Sequence, residues 1–523
     1  MSLARSTTVV GVNTLASRIL GFARDVVFAR MFGAGAGMDV FVVAFQIPNF
    51  LRRLFAEGAF SQAFVPVVSE YKVRRPQEEV RELIDGAAGT LAWFLTVVTI
   101  IGVVAAPLLV LIFAPGFRAD EGKFDLTVEM LRWTFPYILF ISLAALAAGV
   151  LNSYGRFAVP ALTSTLMNLV MIVFAAWIAP SFDRPGIVLA IGVFVAGIVQ
   201  LAFQLPFVVK MGLLRRPRWR WGDEGVRKIG RLMLPAIFGS SVSQVAVLLD
   251  TLIASFLATG SIAWLYYADR LMEFPLGVFS IALATVILPG LAAQHAAQAP
   301  ERFAATLDWA LRLVVIVVLP ATLALVVLAG PLTVTIFHYG KFDEHDVRMT
   351  SLALMAYASA LLAFSMVKVL APGYFARQDT RTPVRIGIRS LAVSMGLNLL
   401  IVLPLAFVYP GRPGLHALLA LNTGIGAWYN STMLYRGLRR QGVLHHASGW
   451  RRMLWQVAAG NLLMLAFLWW VAGDTQRWIE MGAWSRAQWM TLLVVGGAGI
   501  YFGTMYVLGM RVHELRVRPA GPP

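Results

Sequence analysis

Charged residues stand inside two long apolar segments near the start of the chain, between residues 17 and 61. This stretch, SRILGFARDVVFARMFGAGAGMDVFVVAFQIPNFLRRLFAEGAFS, predicts two hydrophobic helices joined by a glycine-rich turn at 33–37. Its charged residues at membrane depth are Arg18, Arg24, Asp25, Asp39, Arg52, Arg53 and Glu57. A charge at the centre of a spanning helix costs at least about 2.5–3.5 kcal/mol, so such residues are rare and typically face a wet cavity. We therefore expect the functional site here.

Arginine is the residue type best suited to holding a diphosphate in such a cavity. Its planar guanidinium donates two parallel hydrogen bonds to phosphate oxygens and stays ionised when partly buried. A further segment, YYADRLMEF, adds an arginine from the second half of the chain. Arg53 is an additional candidate, but it could instead pair with Glu57 one helical turn away. The predicted substrate-binding ring comprises Arg18, Arg24, Arg52 and Arg270.

The alternative is that these arginines only lock helices together by pairing with nearby carboxylates. Both roles can alternate, because a pair that is closed without ligand can open when an anion competes for the arginine. The carboxylates that would pair in this way, and that we predict as gate residues, are Asp25, Asp39, Glu57 and Glu273. Ser17 and Arg24 join Asp39 on the outer side of the first half, so these three are candidates for an outer gate.

The composition predicts an all-α polytopic membrane protein. The chain has 523 residues, of which 59% are hydrophobic and only 14% are charged, well below the roughly 25% charged residues of soluble domains. With no cysteine, disulfides and thiolate metal sites are excluded. We expect the first segment to be retained, because residues 2–30 lack a signal-peptide pattern. The 14 predicted transmembrane helices are centred near residues 18, 52, 98, 140, 168, 198, 243, 277, 318, 360, 394, 425, 462 and 500.

The net charge of +17 follows the predicted topology. With a cytoplasmic N-terminus, 26 of the 44 Lys and Arg residues fall in inner loops and tails and 9 fall at outer ends, Lys123 among them. The positive-inside rule then predicts that both termini are cytoplasmic. Because this excess is explained by membrane topology, we expect no nucleic-acid partner.

Three pairs of similar fragments predict an internal duplication. GAFS and GVFS lie 219 residues apart, the phenylalanines of LIFAPGF and TIFHYGKF lie 224 apart, and GVLNSYGRFAVP and KVLAPGYFARQDTRTP end 223 apart. Six helices per copy predict two parallel-repeat lobes around a central cavity, which would hold the substrate. The predicted domains are an N-lobe at 1–220, a C-lobe at 221–441 and a segment at 442–523 with two extra helices and a cytoplasmic tail.

Four long motifs resemble the MurJ (MviN) family, the lipid II flippases of bacterial peptidoglycan synthesis. They are SRILGFARD, FGAGAGMDVFVVAFQIPNFLRRLFAEGAFSQAFVPV, YYADRLMEFPLGVFSIALATVILP and VLAPGYFARQDTRTPV. The resemblance implies the fold of the multidrug/oligosaccharidyl-lipid/polysaccharide exporter superfamily, a bacterial inner-membrane location, and two extra helices that form a groove for the polyprenyl tail. It also implies that the essential cavity arginines of the family match Arg18, Arg24, Arg52 and Arg270, with Asp39 as their acidic partner. Some members have a serine at the position of Ala263.

Na⁺ is the candidate coupling ion, because the resemblance implies that some members bind it in the second lobe. Asp250 and Asp379 are the candidate ligands, with Ser394 as a third, and no other cofactor is expected. A hard cation needs several oxygen ligands, and these three are all that the sequence offers. Alternatively, Asp379 caps the next helix and Asp250 accepts an interhelical hydrogen bond. Membrane potential could also act directly on the cationic cavity.

The sequence therefore predicts a transporter rather than an enzyme, with lipid II and the lipid bilayer as partners. It would move the undecaprenyl-diphosphate-linked precursor from the cytoplasmic to the periplasmic leaflet by alternating access. Alternatives are a flippase for another polyprenyl-diphosphate oligosaccharide, a cation-coupled drug antiporter of the same superfamily, or a structural scaffold. A membrane glycosyltransferase or phosphatase would want a base or metal cluster. The seven histidines are scattered, and His445 and His446 share no carboxylate nearby in the sequence.

Overall fold

The computed structural model describes residues 3–53, 60–214, 216–446 and 448–511. In these ranges the regular structure is helical. The α-helices are α1 (Leu3–Phe32), α2 (Ala36–Arg52), α3 (Ser61–Arg74), α4 (Gln77–Val104), α5 (Ala106–Phe113), α6 (Glu121–Thr134), α7 (Tyr137–Ser153), α8 (Ala158–Val173), α9 (Pro185–Lys210), α10 (Glu224–Ala254), α11 (Ser261–Pro275), α12 (Ala282–Ala296), α13 (Pro300–Val327), α14 (Ala329–Phe337), α15 (Glu344–Ala358), α16 (Leu361–Phe375), α17 (Arg381–Leu397), α18 (Leu403–Val408), α19 (His416–Arg440), α20 (Trp450–Ala472), α21 (Thr475–Glu480) and α22 (Ala483–Val507).

Short segments of other helix types continue several of these α-helices. Two 3₁₀ turns lie at Pro115–Ala119 and Ala179–Ser181. π-Helical segments lie at Phe174–Ile178, Leu276–Ile281 and Asn398–Val402. π-Helical turns are rare and lengthen the local helix repeat, so each of these helices changes the face that it presents beyond the π segment.

Long apolar helices confirm a polytopic membrane protein. In the described residues, nine helical stretches are long and apolar enough to cross a membrane. They are Gln77–Val104, Glu121–Ser153, Ala158–Ser181, Pro185–Lys210, Pro300–Val327, Glu344–Phe375, Arg381–Val408, Trp450–Ala472 and Ala483–Val507. The first two predicted spans, which carry most of the charges of the candidate site, are not among the nine. The total of fourteen stays a prediction.

The chain forms two compact units, residues 1–263 and residues 264–523. In the first unit, α10 bonds to α2, because the Thr251 hydroxyl donates to Gln46 Oε1 at 2.7 Å. Phe41 connects α1 and α2 through its ring, which meets Phe28 edge-on at 5.6 Å and stacks on Phe45 at 5.9 Å. These contacts fix the helices that carry the predicted site residues of this unit. The division into domains at 1–220, 221–441 and 442–523 stays a prediction.

Helix boundaries recur along the chain with nearly the offset that the sequence fragments predict. α4 starts at Gln77 and α13 at Pro300, a separation of 223 residues. The same separation relates the starts of α6 and α15 and those of α8 and α17. A π-helical segment directly follows both α8 and α17. This shared pattern supports the predicted duplication.

Candidate functional site

Arg24 is held in place by neighbours on two helices. Its Nε and Nη2 both donate to Asp25 Oδ1, at 3.0 and 2.7 Å, and its Nη1 donates to Asn168 Oδ1 on α8 at 3.0 Å. The Asp25 side chain is only 2% exposed and that of Arg24 is 13% exposed. The guanidinium also lies 5.6 Å from the centre of the Phe28 ring. Hydrogen bonds between ionised groups at this depth are strong, so the plane of the guanidinium is fixed.

Asn168 joins Arg24 to Ser17, one of the predicted gate residues. The Asn168 amide nitrogen donates to the Ser17 carbonyl at 3.0 Å, and the Ser17 hydroxyl donates to Ser164 at 3.0 Å. Gly21 faces Asn168, and a Cβ there would lie 3.4 Å from the Asn168 amide nitrogen, an ordinary packing distance. Ser17, Arg24 and Asp25 therefore form one polar cluster between α1 and α8. Arg18 is exposed beside it.

Arg52 and Arg53 follow each other at the end of α2 but bond in different directions. Arg52 Nε donates to Asn49 Oδ1 on its own helix at 2.9 Å, and Arg53 Nη1 donates to Gln244 Oε1 on α10 at 3.3 Å. Both side chains are partly exposed. The predicted Arg53–Glu57 pair cannot be assessed, because Glu57 lies outside the described residues. Arg53 thus bonds to a helix far away in the sequence, which the local pattern did not indicate.

Asp39 accepts three hydrogen bonds, none of which comes from a predicted arginine. Lys123 on α6 donates to Oδ2 at 3.1 Å, and the backbone N–H groups of Gly260 and Ala263 donate at 2.7 and 2.9 Å. Asp39 is 1% exposed and Lys123 is 8% exposed. The two backbone donors belong to the start of α11, where helix N–H groups and the helix dipole favour an anion.

The ion pair of this carboxylate with Lys123 was not predicted from the sequence, which only placed Lys123 at an outer helix end. The role of Asp39 as acidic partner of the arginines stays a prediction. The contact with residue 263 uses its backbone N–H. The side chain of that residue, alanine here, is therefore not needed for the bond.

In the second unit, Arg270 pairs with the predicted gate residue Glu273. Nη1 of Arg270 donates to Glu273 Oε2 at 2.7 Å, and the guanidinium lies 5.0 Å from the centre of the Tyr266 ring. The two charged side chains are 30% and 50% exposed. Such an exposed pair contributes little to stability, so Arg270 can exchange this partner for another anion at small cost.

Two of the predicted Na⁺ ligands make hydrogen bonds within their own units, and the role of all three in ion binding stays a prediction. Asp379 accepts a hydrogen bond from the backbone N–H of Thr382 at 2.9 Å, and the Ser394 hydroxyl donates to the Leu391 carbonyl at 3.1 Å. The bonds to Thr382 lower the pKa of Asp379. Asp250 is half-buried on α10. Among the described residues, no group of three or more His, Cys, Asp or Glu side chains is placed to hold a metal ion.

His446 has a carboxylate neighbour that its sequence surroundings do not contain. Its Nδ1 lies 3.2 Å from Asp308 Oδ1 on α13, an oxygen that also accepts from the Trp450 indole at 2.7 Å. The opposite ring nitrogen meets the Tyr435 hydroxyl. Arg312 donates to the second oxygen of Asp308 at 2.9 Å. This network, in which Asp308 is the buried member, attaches the start of α20 to α13. His446 therefore has a carboxylate neighbour in space although none lies near it in the sequence.

Several of these contact residues were missed from the sequence. Asn168 is the one with a readable signal, because an amide inside the apolar run LMNLVMIV needs a hydrogen-bond partner in a membrane. Lys123 gave no such signal in the sequence, because EGKFD is typical of a solvated helix start. Gln244 lies 191 residues from Arg53, a separation that no local pattern covers.

Comparisons with known proteins indicate the family of the chain. The sequence profile of the family described as "Lipid II flippase MurJ" matches residues 28–485. A protein of Vibrio cholerae called "Probable lipid II flippase MurJ" is 46% identical over 98% of this chain and 98% of its own length. A solved structure titled "Lipid II flippase MurJ, inward closed conformation" has a TM-score of 0.80 at 23% identity, over 95% of this chain and 98% of that one.

A second solved structure, less similar in sequence, also has this fold. The structure of a multidrug resistance MATE family transporter of the MOP superfamily has a TM-score of 0.64 at 14% identity, over 82% of this chain and 95% of that one. At such identities these two structures are informative about the fold alone. The family profile and the full-length relative decide the membership: this chain belongs to the lipid II flippase MurJ family.

Proposed function

We propose that this chain is a lipid II flippase, which moves the undecaprenyl-diphosphate-linked peptidoglycan precursor from the cytoplasmic to the periplasmic leaflet. The observation that carries the proposal is the family profile match over residues 28–485, together with a relative of that name that is 46% identical over nearly the whole chain. The composition and the nine apolar helices of the described ranges agree with a multi-pass membrane transporter.

The proposed substrate contacts are the arginines. Arg24 is oriented by Asp25 and Asn168, and Arg270 is paired with an exposed carboxylate. A diphosphate brings several anionic oxygens, and it can compete with each carboxylate because the guanidinium fork can donate two parallel hydrogen bonds to phosphate oxygens. Arg18, Arg52 and Arg53 would supply further positive charge. Binding then opens ion pairs that are closed in the absence of ligand.

Alternating access is the proposed mechanism. In this proposal two six-helix lobes of a fourteen-helix bundle rock about a central cavity, and both termini are cytoplasmic. The polar headgroup crosses inside the protein because the free-energy cost of burying its charges in hydrocarbon would be too high. The polyprenyl tail stays in lipid beside α20 and α22. Ser17, Arg24 and Asp39 form the proposed outer gate. The bonds of Asp39 to Lys123 and to the start of α11 would have to break for that gate to open.

Energy coupling is a separate part of the proposal. Na⁺ coupling through Asp250, Asp379 and Ser394 stays a prediction, and the contacts of Asp379 and Ser394 favour structural roles for these two. A membrane potential acts on any charge that crosses the field, at about 2.3 kcal/mol per charge per 100 mV. No step of the proposed cycle therefore requires a bound ion.

Reconstitution tests the proposed function. Liposomes that contain the purified full chain and fluorescent lipid II are treated with a reagent that cannot cross the bilayer and that destroys the fluorophore. We expect the protein to expose the inner-leaflet lipid II, with no chemical change to the recovered lipid. Protection of the inner pool, as in protein-free liposomes, would contradict the proposal. Conversion of lipid II to a product would indicate an enzyme instead.

Two further arms of the same assay define substrate and coupling. An undecaprenyl diphosphate that carries a different oligosaccharide should move much more slowly than lipid II, and equal rates would indicate a flippase of broader specificity. The rate is also measured with Na⁺ or K⁺, and with or without an imposed potential. We expect the potential to change the rate of lipid II translocation. A strict requirement for Na⁺ would instead show that translocation is coupled to a bound Na⁺ ion.

A further inference from the structure

A short basic and aromatic segment between α9 and α10 lies flat against α4. We call residues 216–221, with the sequence RPRWRW, the arginine–tryptophan strap. The N–H of Arg218 donates to the Asp85 carbonyl at 3.1 Å. The N–H of Arg220 donates to the Thr90 hydroxyl at 3.2 Å. These two bonds align the strap with the helix.

Two small residues of α4 allow this close approach. A Cβ on Gly89 would lie 2.4 Å from backbone atoms of Arg218, so only glycine fits at this position. A Cβ on Gly86 would lie 3.3 Å from the Cβ of Arg220. The Arg220 guanidinium then bonds to Glu82 at 2.8 Å, one turn back along α4. The position of the strap is therefore defined by packing and by hydrogen bonds.

Three tryptophans form an exposed cluster at this place. The ring of Trp219 lies 4.5 Å from Trp93 of α4 and stacks on Trp221 at 6.5 Å. They are 55% (Trp93), 51% (Trp219) and 53% (Trp221) exposed, which is unusual for a residue type that is normally buried. Such rings are typical of the membrane interface, where an apolar face meets lipid and the indole N–H meets water.

The sequence of α4 gives the depth of this cluster. Asp85 is the last charged residue of the helix, and the remainder up to Val104 is uncharged and apolar. At 1.5 Å per residue, Trp93 lies about 12 Å beyond Asp85 along the helix axis. The headgroup layer is roughly 5–8 Å thick. A hydrocarbon border between Asp85 and Trp93 would therefore bring the rings close to that border and Arg218, which bonds to the Asp85 carbonyl, to the level of the headgroups.

We propose that the arginine–tryptophan strap binds the headgroup of an anionic phospholipid in the surrounding bilayer. Arg216 and Arg218 are exposed on either side of Pro217, and they supply the positive charge at the level of the lipid phosphates. Arg220 holds the strap to α4, and the tryptophans take the position of interfacial anchors. Basic residues directly next to a spanning helix attract anionic lipids in this way.

The surface next to the strap favours a bilayer phospholipid over the transported lipid. Beyond Trp93, α4 presents Phe94, Ile100 and Ile101 at 46–59% exposure, a surface suited to acyl chains. This inference goes beyond the proposed function and does not depend on it. The strap arginines are also distinct from the arginines proposed to bind the diphosphate.

Lipid binding to the delipidated full chain in detergent tests the proposal. Phosphatidylglycerol is titrated against the wild type and the double variant Arg216→Gln/Arg218→Gln, and bound lipid is counted by native mass spectrometry, with phosphatidylcholine as the neutral reference. Two lost arginine contacts should weaken phosphatidylglycerol binding about 30-fold. Phosphatidylcholine binding should not change. The control variant Arg118→Gln/Arg412→Gln removes the same charge from exposed loop positions and should bind like the wild type.

Two results would overturn the proposal. One is unchanged affinity of the strap variant for phosphatidylglycerol while its thermal unfolding matches that of the wild type. The other is loss of affinity for undecaprenyl diphosphate alone, which would assign the strap to the transported lipid.

A spin label supplies an independent test of position. The chain has no cysteine, so Gly222→Cys introduces a unique labelling site directly after the strap. We expect the nitroxide to report headgroup depth in bilayers that contain phosphatidylglycerol. Accessibility to a water-soluble relaxing agent equal to that of bulk solvent would contradict the proposed contact.

Discussion

At the scale of single residues, Asp39 is the carboxylate of the predicted site that is 1% exposed and bonded to two other helices. It combines a buried ion pair with two hydrogen bonds from a helix start, so its charge is compensated from two sides. Removing one member of a buried pair is costly because the other charge is left in a low-dielectric surrounding. The two partners are not equivalent, since Asp39 has other donors when lysine is lost.

We predict that Asp39→Asn destabilises the protein more than Lys123→Met does. Asn leaves a buried lysine without its counter-ion, at a cost of about 3–5 kcal/mol. In Lys123→Met, the Asp39 carboxylate still accepts hydrogen bonds from the N–H groups of Gly260 and Ala263. The loss of stability is therefore smaller. The double variant should recover part of the loss. The measurement is unfolding by sodium dodecyl sulfate in mixed micelles.

The exposed pair Arg184–Glu129 is the matched control for this double-mutant cycle. Its side chains are 60% and 39% exposed, and such pairs couple by about 1 kcal/mol or less. If the losses at Asp39 and Lys123 simply add, with no more coupling than in the control, the buried ion pair is not the origin of the effect.

At the scale of elements, the two predicted repeats have matching helix pairs that are joined by different residues. Asp39 on α2 bonds to Lys123 on α6 in the first unit. In the second unit the Trp264 indole on α11 donates to Asp346 on α15 at 2.9 Å. Lys123 and Asp346 lie 223 residues apart, the same offset that relates the helix starts. A buried polar contact at equivalent helix starts agrees with the predicted duplication.

The start of α17 gives a pH-dependent prediction. Hydrogen bonds with Thr382 lower the pKa of Asp379 from its ordinary value of 3.8. Because the folded pKa is the lower one, the stabilisation is complete above about pH 4. It is lost as pH falls through the folded pKa. Asp379→Ala should therefore cost about 1 kcal/mol at pH 7 and less once the pH falls below the folded pKa of Asp379, as measured by thermal unfolding in detergent.

Asp379→Asn distinguishes a helix cap from an ion ligand. Asn still accepts the bond from Thr382, so stability at pH 7 should stay close to that of the wild type. If Na⁺ raises the unfolding temperature of the wild type but not that of this variant, Asp379 is a cation ligand and the capping account is wrong.

At the scale of the whole molecule, the sequence predicted what depends on periodicity and on local composition. Apolar runs predicted spanning helices, repeated fragments predicted the 223-residue offset, and long motifs indicated the family. Partners distant in the chain were not predictable, because Asn168 lies 144 residues from Arg24 and Lys123 lies 84 residues from Asp39. Such contacts depend on how helices pack, which single-helix patterns do not encode.

The membrane arginines are the central claim, and Arg24 is the most direct place to test it. Lipid II translocation is measured in proteoliposomes that contain the wild type, Arg24→Glu or Arg24→Gln. The control is Arg184→Glu, a charge reversal at an exposed loop arginine. All four proteins must insert into the membrane equally and unfold at similar temperatures. Arg24→Gln, which is neutral, serves as the test if the charge-reversed Arg24→Glu does not fold. We predict that both Arg24 variants lose translocation while Arg184→Glu keeps it. Translocation at the wild-type rate by correctly folded Arg24 variants would contradict the account.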